Sequence, residues 1–342
     1  MAVNHDIVAP ASSGSLTDGV RRFFREFAFQ DWLVVLFLST LSTAVLLAPP
    51  SAARSKSLSD VLTLVTVFSI TLVLIRGSLV KHGVAAPLLY RLGMFGPVQL
   101  SYFILAGLLP VVNPGNLDEQ LYQLDLRFLG VEPAVLLDNF VGPTSSEWFA
   151  FFYFSYFFLL ALHVLPMLFF VRQRRLMNEF TLGMIMLVCT VHVTYMIVPG
   201  FGPIRHLTFA NELPSGMWHD IVINTVNSGG AQKDIFPSLH TAGPSFCALF
   251  SFRHRDKLPF KFTWPIVTFF ALNIIVATMY MRWHWAIDVV VGLSLAYALS
   301  VLVPRISAWE LKRREAKGLM EIWPRFSRAS ESAQTSLSSS AH

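Results

Sequence analysis

The chain has little charge and almost no cysteine, and each shortage excludes a class of protein. Charged residues make up 14% of the 342 residues, whereas soluble domains carry about 25%. The two cysteines, Cys189 and Cys247, both lie inside apolar runs, so they provide neither a disulfide framework nor a thiolate metal site. An ordinary soluble enzyme and a disulfide-stapled domain are therefore excluded.

Long apolar segments dominate the chain. Hydrophobic residues make up 54% of it, and a membrane-spanning helix needs about 20 of them to cross a hydrocarbon core of about 30 Å. We predict an all-α membrane helical bundle with about eight transmembrane helices. Their approximate positions are 32–47, 61–75, 92–112, 148–171, 180–198, 237–252, 262–281 and 285–303.

Three regions follow from this pattern. Residues 1–31 are a cytoplasmic N-terminal segment, too polar for a cleaved signal peptide. Residues 32–304 form the transmembrane domain, and residues 305–342 form a basic amphipathic segment with a disordered, serine-rich tail. Between the third and fourth spans, Leu117, Leu121, Leu124 and Phe128 make an apolar stripe at helical spacing. We expect a surface helix there, either packed on the bundle or serving as a lid over a lipid entrance.

The basic residues are unevenly distributed between the two sets of alternate loops. Twenty of the 26 lysines and arginines fall in the set that includes both ends of the chain. The six exceptions are Arg54, Lys56, Arg127, Arg205, Lys233 and Arg282. Because cytoplasmic loops favour lysine and arginine, we expect both termini in the cytoplasm. The charges form no continuous stripe, so no nucleic-acid partner is expected.

Two short strings carry the candidate catalytic residues, and both begin predicted helices on the outer face. In the string 236–241, Pro237 suits the first turn of a helix, whose N-terminal N–H groups attract an anion. In the second string, His284 and Asp288 are four residues apart and share one helix face. Asp288 can hold the Nδ1 proton of His284, which leaves Nε2 free as a base or nucleophile.

Together the two strings resemble a known signature. Pro237-Ser238-Leu239-His240 and His284-Trp285-Ala286-Ile287-Asp288-Val289-Val290-Val291-Gly292 look like the paired motif of the type-2 phosphatidic acid phosphatase superfamily. The resemblance implies that His284 attacks phosphorus to form a phosphohistidine, that Asp288 orients it, and that His240 protonates the leaving group. Ser238 would join the phosphate cradle. A helical core of the last four or five spans is also implied.

The chain departs from that signature in its cations. Thr278 stands where the superfamily usually has an arginine, and the upstream Lys-x6-Arg-Pro string is absent. In these respects the chain looks more like the inositol phosphorylceramide synthase branch, a group of sphingolipid enzymes. Members of that branch move a phosphoryl headgroup from a phospholipid to a lipid alcohol.

Phosphoryl transfer needs positive charge near the phosphate, so the missing cations need replacements. Arg282 lies two residues before His284, and Arg205 follows the rigid loop 199–203. We hypothesise that these two arginines clamp the phosphate, with Lys233 as a weaker candidate. The alternative is that all three contact lipid headgroups.

The expected chemistry uses no cofactor and no metal, since the chain has no zincin helix, three-histidine cluster or carboxylate-rich magnesium loop. Covalent catalysis divides the reaction into two displacements. His284 takes the phosphoryl group from a membrane lipid phosphate or phospholipid donor, and then water or a lipid alcohol takes it from His284. One histidine must be neutral and the other protonated, so a bell-shaped pH dependence is expected.

Two other readings remain. A membrane lipid transporter would also place ionisable residues in its bundle, but it commonly shows internal repeats, and none is evident. A catalytically inactive scaffold of the same fold is the second. The complete set of His240, His284 and Asp288 favours the enzyme.

Overall fold

The computed structural model describes residues 16–80, 83–229 and 232–326, and the regular secondary structure in these ranges is helical. The helices are α1 (Leu16–Arg25), α2 (Phe29–Leu47), α3 (Ala52–Arg76), α4 (Ala85–Val112), α5 (Asp118–Leu129), α6 (Pro133–Leu137), α7 (Pro143–Phe169), α8 (Arg174–Ile197), α9 (Pro203–His206), α10 (Met217–Ser228), α11 (Leu239–Arg253), α12 (Phe260–Tyr280) and α13 (Ala286–Ala316). The serine-rich tail from Arg328 and the first 15 residues of the N-terminal segment lie outside the described residues.

Seven of the described helices are long and apolar enough to cross a membrane: α2, α3, α4, α7, α8, α12 and α13. The eighth predicted span is α11, which has 15 residues and so is about 22 Å long. It packs between α7, α8, α12 and α13. The chain is therefore an all-α, multi-pass integral membrane protein, as predicted.

Several helices extend beyond their apolar runs. Helix α3 begins at Ala52, where the N-cap Ser51 accepts a hydrogen bond from the Arg54 N–H, and α13 continues through Pro304 to Ala316. The predicted boundary at residue 305 thus falls inside a helix. Hydropathy marks only the part of a helix that lies in hydrocarbon, because backbone hydrogen bonds continue equally well under polar side chains.

A buried polar network closes the end of the bundle remote from His284. The Arg76 guanidinium pairs with Asp31 at 2.7 Å, and both side chains are fully buried. The Tyr90 hydroxyl donates to the same carboxylate at 2.6 Å. Arg76 also donates to the carbonyls of Glu321 and Ile322, both at 3.1 Å. The segment after α13 is therefore folded back under α3 and α4.

Helix α5 turns its acidic face to the bundle, contrary to the predicted stripe. Its buried residues are Asp118, Leu121 and Asp125, whereas Phe128 is 70% exposed. The carboxylates are buried because they accept hydrogen bonds from loop backbones, and a buried carboxylate with such partners is stable where an unpaired one is not. The apolar spacing alone did not predict this buried face, because it carries no information about the backbone N–H groups that the carboxylates accept from.

Candidate active site

The candidate site forms where the N-termini of α11 and α13 meet. Ser238 is the N-cap of α11, and its hydroxyl accepts the Thr241 N–H at 3.2 Å. Its own N–H donates to the Asp288 carbonyl at 3.1 Å. Pro237 therefore precedes the cap. The prediction that it lies in the first turn of the helix is wrong. Gly292 permits the contact, since a Cβ there would lie 2.8 Å from the Ser238 carbonyl oxygen.

The loop between α12 and α13 is held from the end of α12. The Trp283 and His284 N–H groups both donate to the Thr278 carbonyl, at 3.1 and 3.3 Å. Gly202 of the neighbouring loop has a φ of 83°, and a Cβ there would lie 2.3 Å from the Trp283 carbonyl oxygen. Only glycine fits this left-handed, crowded position. The loop that contains Gly202 therefore packs closely against the loop between α12 and α13, beside His284.

His284 and Asp288 lie side by side, as their spacing predicted. The Nδ1 of His284 is 3.3 Å from Asp288 Oδ2, and both side chains are buried. The same oxygen accepts the Trp285 N–H at 3.0 Å. Burial lowers the pKa of His284 to about 4, although the Asp234 carboxylate and the Ile235 backbone oppose the shift. The imidazole is therefore neutral at pH 7.

His240 lies between two tyrosine rings and faces His284. Its ring centroid is 4.4 Å from that of Tyr153 and 4.1 Å from that of Tyr156. The two histidine centroids are 6.2 Å apart. His240 Nε2 is buried and has no hydrogen-bond partner within the described ranges. The tyrosines fix the ring while leaving this nitrogen available to a bound group.

A groove of about 1070 Å³ opens at this pair of histidines. His240, Trp283, His284 and Asp234 line one end, and Arg91 lines the other. Of the five phenylalanines from 151 to 158, Phe154 and Phe157 line the groove. Phe151 and Phe152 pack on Phe270 of α12, and Phe158 is 55% exposed.

Arg282 is tied to a carboxylate. Its guanidinium bonds to Asp138 at 2.7 Å, donates to the Asn211 carbonyl and lies 4.0 Å from the centre of the Phe209 ring. Asp138 also accepts the Ala210 N–H at 3.0 Å. This buried ion pair joins three loops above the site, and the buried Nε of Arg282 has no hydrogen-bond partner among the described residues.

The other two candidate cations lie near one another. Lys233 donates to the carbonyls of Pro114 and Gly115, at 3.0 and 2.8 Å, and so ties the end of α4 to the site. Arg205 is exposed and hydrogen-bonds to the side chain of Gln232, which lines the groove. No carboxylate of the described residues forms a salt bridge with Arg205.

Sequence reasoning missed four acidic residues around the site. Asp118 accepts the N–H groups of Phe201 and Gly202 at 2.8 and 2.9 Å and the Trp285 indole N–H at 2.9 Å. Asp125 accepts the first two N–H groups of α13, at 2.7 and 2.8 Å. Asp138 and Asp234 are the others. Their common signal was acidity in a weakly charged chain, and only Asp234 lies next to one of the two strings.

Asp125 also contacts Glu132, the N-cap of α6. Burial and then the hydrogen bond with Asp125 raise the pKa of Glu132 from 4.5 to about 8. Glu132 is therefore protonated at pH 7, while Asp125 remains the acceptor for α13. In the unfolded chain the Glu132 carboxyl loses its proton near its ordinary pKa of 4.5, whereas in the fold it keeps the proton up to about pH 8. Its contribution to stability is therefore complete below about pH 4.5 and is lost as pH rises to about 8.

Glu132→Gln should remove this pH dependence, because the amide is neutral throughout. Wild type should lose stability between pH 5 and pH 8, and the variant should not. The melting temperature of Glu132→Gln minus that of wild type should therefore rise by a few degrees over this range, since 1 kcal/mol of unfolding free energy corresponds to about 2–4 °C. Thermal unfolding in detergent would measure it, with the exposed Glu212→Gln as the control. A difference that is constant across this range would contradict the assignment.

Two further histidines have structural partners. His163 Nδ1 lies 2.7 Å from the Leu159 carbonyl oxygen. His192 Nδ1 lies 2.9 Å from the Ser101 hydroxyl, and its ring lines the groove. Within the described ranges, no group of three His, Cys, Asp or Glu side chains is arranged to hold a metal ion.

The fold and the site define a class: a multi-pass membrane protein with a His–Asp pair and a second histidine at the mouth of an apolar groove. The family model of the PAP2 superfamily matches residues 119–302, which is more than half of the chain. The chain belongs to this superfamily, the type-2 phosphatidic acid phosphatase superfamily that the two strings resemble. Neither the curated proteins nor the solved structures include a match.

Proposed function

We propose that the protein is a membrane lipid phosphatase or phosphotransferase that works through a phosphohistidine at His284. The observation that supports this most directly is the neutral, buried His284 ring, with Nδ1 beside Asp288 and with His240 opposite. A nucleophile oriented by a carboxylate and faced by an acid is the arrangement that covalent catalysis requires. Membership of the superfamily suggests a phosphatase-type enzyme and a phosphorylated lipid substrate.

In the first step, the Nε2 lone pair of His284 forms a bond to phosphorus as the bond to the leaving oxygen breaks. The negative charge of the bound phosphate would favour the protonated form of His240, which gives its proton to the leaving oxygen. In the second step, His240 takes a proton from the acceptor, whose oxygen attacks phosphorus and releases His284. Asp288 stabilises the positive ring in both steps.

Arg205 is the best placed of the three cations to meet the phosphate. It is exposed beside Gln232 at the groove mouth, while Lys233 and Arg282 already bond to backbone carbonyls and to Asp138. We propose that Arg205 contacts the phosphate directly. Arg282 and Lys233 would shape the site and contribute longer-range charge. Ser238, buried as the cap of α11, would act through the N-terminus of that helix.

Transfer to a lipid alcohol is the second candidate reaction. It is favoured by the altered cation pattern, with Thr278 in place of an arginine, and by an apolar groove that reaches the histidines. Because the loops near the site carry few basic residues, we propose that the site faces the periplasm, lumen or exterior and that both termini are cytoplasmic.

The test is a product assay with the purified protein. Phosphorylated lipids would be supplied with and without ceramide or diacylglycerol, and products followed by mass spectrometry together with free phosphate. Phosphate release that needs no alcohol would identify a phosphatase. A new phospholipid that forms only with the alcohol would identify a headgroup transferase. If neither product forms across the panel, the transporter and inactive-scaffold readings gain support.

A further inference from the structure

The groove extends far beyond the two histidines, along α4 and α7. Tyr156, which contacts His240, and Phe169 both line it. These residues are 13 positions apart on α7, which corresponds to about 20 Å of helix. Half of a hydrocarbon core is about 15 Å thick. The groove is therefore deep enough for a hydrocarbon chain that spans one leaflet.

The far end of the groove is closed by a charged residue. Arg91 lines it, and its guanidinium donates to the carbonyls of Leu168, Pro87 and Pro324. The Phe326 ring lies 4.6 Å from the guanidinium carbon. A hydrocarbon chain gains nothing by displacing such a bonded cation, so Arg91 sets the lower limit of an apolar ligand.

The side of the groove is open between α4 and α7. Leu100 and Phe103 on α4, and Phe157 and Leu165 on α7, line the groove and are each more than two-fifths exposed. A lipid chain can therefore enter sideways from the bilayer. Lipid tails are as apolar as leucine, so this transfer has little hydrophobic driving force. Steric fit then decides which chains are accepted.

Gly96 lies where a side chain would obstruct the groove. It lines the groove, and a Cβ added there would meet no atom within 4 Å. Along α4 it is six residues from Tyr102, which hydrogen-bonds to Asp234 beside His284, and five residues from Arg91. It is therefore about 9 Å below the level of the site.

We propose that this groove binds the hydrocarbon chain of the phosphorylated lipid substrate, and that Gly96 is a specificity-determining position that sets the chain length accepted. The phosphate lies between the histidines and the chain extends towards Arg91. This proposal rests on the proposed function, because it is the reaction at His284 that places the phosphate at the groove mouth. A short chain ends before Gly96, whereas a long chain must pass it.

Gly96→Leu tests the proposal, and Gly107→Leu on the same helix is the matched control. Gly107 does not line the groove, and a Cβ there would lie at an ordinary 3.7 Å from Ser57. Both variants gain the same helix propensity. Phosphate release would be measured with dihexanoyl and dipalmitoyl phosphatidic acid in the same mixed micelles.

We expect the ratio of the dipalmitoyl KM to the dihexanoyl KM to rise about five- to a hundredfold in Gly96→Leu, the range expected from overpacking a filled site. The ratio should stay within about twofold of wild type in Gly107→Leu. An unchanged ratio in Gly96→Leu, with turnover still dependent on His284, would overturn the proposal and leave the proposed function standing.

Crosslinking gives a readout that does not require turnover. A dipalmitoyl-type phosphatidic acid with a diazirine near the chain end should label α4 near Gly96 and the last third of α7 in wild type, and Gly96→Leu should lose this labelling. Labelling confined to α12 would overturn the groove assignment. If the groove is labelled but no lipid phosphate is hydrolysed or transferred, the groove is supported and the proposed reaction fails.

Discussion

His284→Ala is expected to abolish turnover of any phosphorylated lipid substrate, with a loss of about 10⁴-fold or more. Removing one member of a covalent catalytic unit costs about as much as removing the whole unit. The variant should also form no phosphoenzyme when a labelled substrate is quenched in alkali, where phosphohistidine persists. Substrate binding should change little, because the groove and Arg205 are unaffected.

His163→Ala is the control for this variant. His163 is a half-buried histidine of α7, bonded within its own helix to Leu159, and it does not line the groove. Turnover should therefore survive in His163→Ala. Residual turnover in His284→Ala within about tenfold of wild type would mean that another group attacks phosphorus.

The pH profile provides an independent readout of the same residue. A free histidine has a pKa of about 6.5, but burial lowers the pKa of His284 to about 4. Only the neutral ring is nucleophilic, so activity is lost as pH falls through this value. The acid limb of kcat/KM should lie near pH 4 in wild type. An acid limb near pH 6.5 would show that His284 is solvated in the working enzyme.

Asp288→Asn is expected to lower kcat by about 10²- to 10⁴-fold, with little change in KM. Asp288 Oδ2 holds both the His284 ring and the Trp285 N–H. Asparagine keeps an oxygen for the cap, but it removes the charge that stabilises the positive ring and fixes the tautomer. Turnover and the melting temperature should be measured together.

The exposed Asp220→Asn is the control for this substitution. Its carboxylate accepts a hydrogen bond from the Ser215 hydroxyl, and Asp220 does not line the groove. If Asp288→Asn unfolds at the wild-type temperature and retains turnover within about tenfold, Asp288 serves only as a helix cap. A large fall in kcat without a fall in stability would assign it the orienting role.

The sequence predicted those parts of the molecule whose determinants are local. Apolar runs about one bilayer in length predicted the spans, because a helix in lipid must satisfy its backbone internally. The four-residue spacing of His284 and Asp288 predicted their contact, but His284 lies in the loop before α13 and not on the helix itself. The short α11 was recognised from its apolar run at 237–252, even though it lacks the length of the other spans.

What the sequence could not predict depends on contacts between distant segments. Asp118 and Asp125 are separated by about 160 positions from the loop and helix that they hold, and no local pattern indicates such pairs. Arg282 was proposed as a phosphate ligand because it lies two residues before His284. In the structure it pairs with the Asp138 carboxylate, which is 144 positions away in the sequence. The tyrosines that enclose His240 likewise read as ordinary residues of an apolar span.

The folded-back segment after α13 has a consequence for biosynthesis. Pro324 supplies one of the carbonyls that hold Arg91 at the floor of the groove, and Glu321 and Ile322 bond to Arg76. During translation these residues leave the ribosome after the last span, so α3 and α4 are inserted while their arginines still lack these partners. The floor of the groove is thus completed only after the segment that follows α13 has been synthesised.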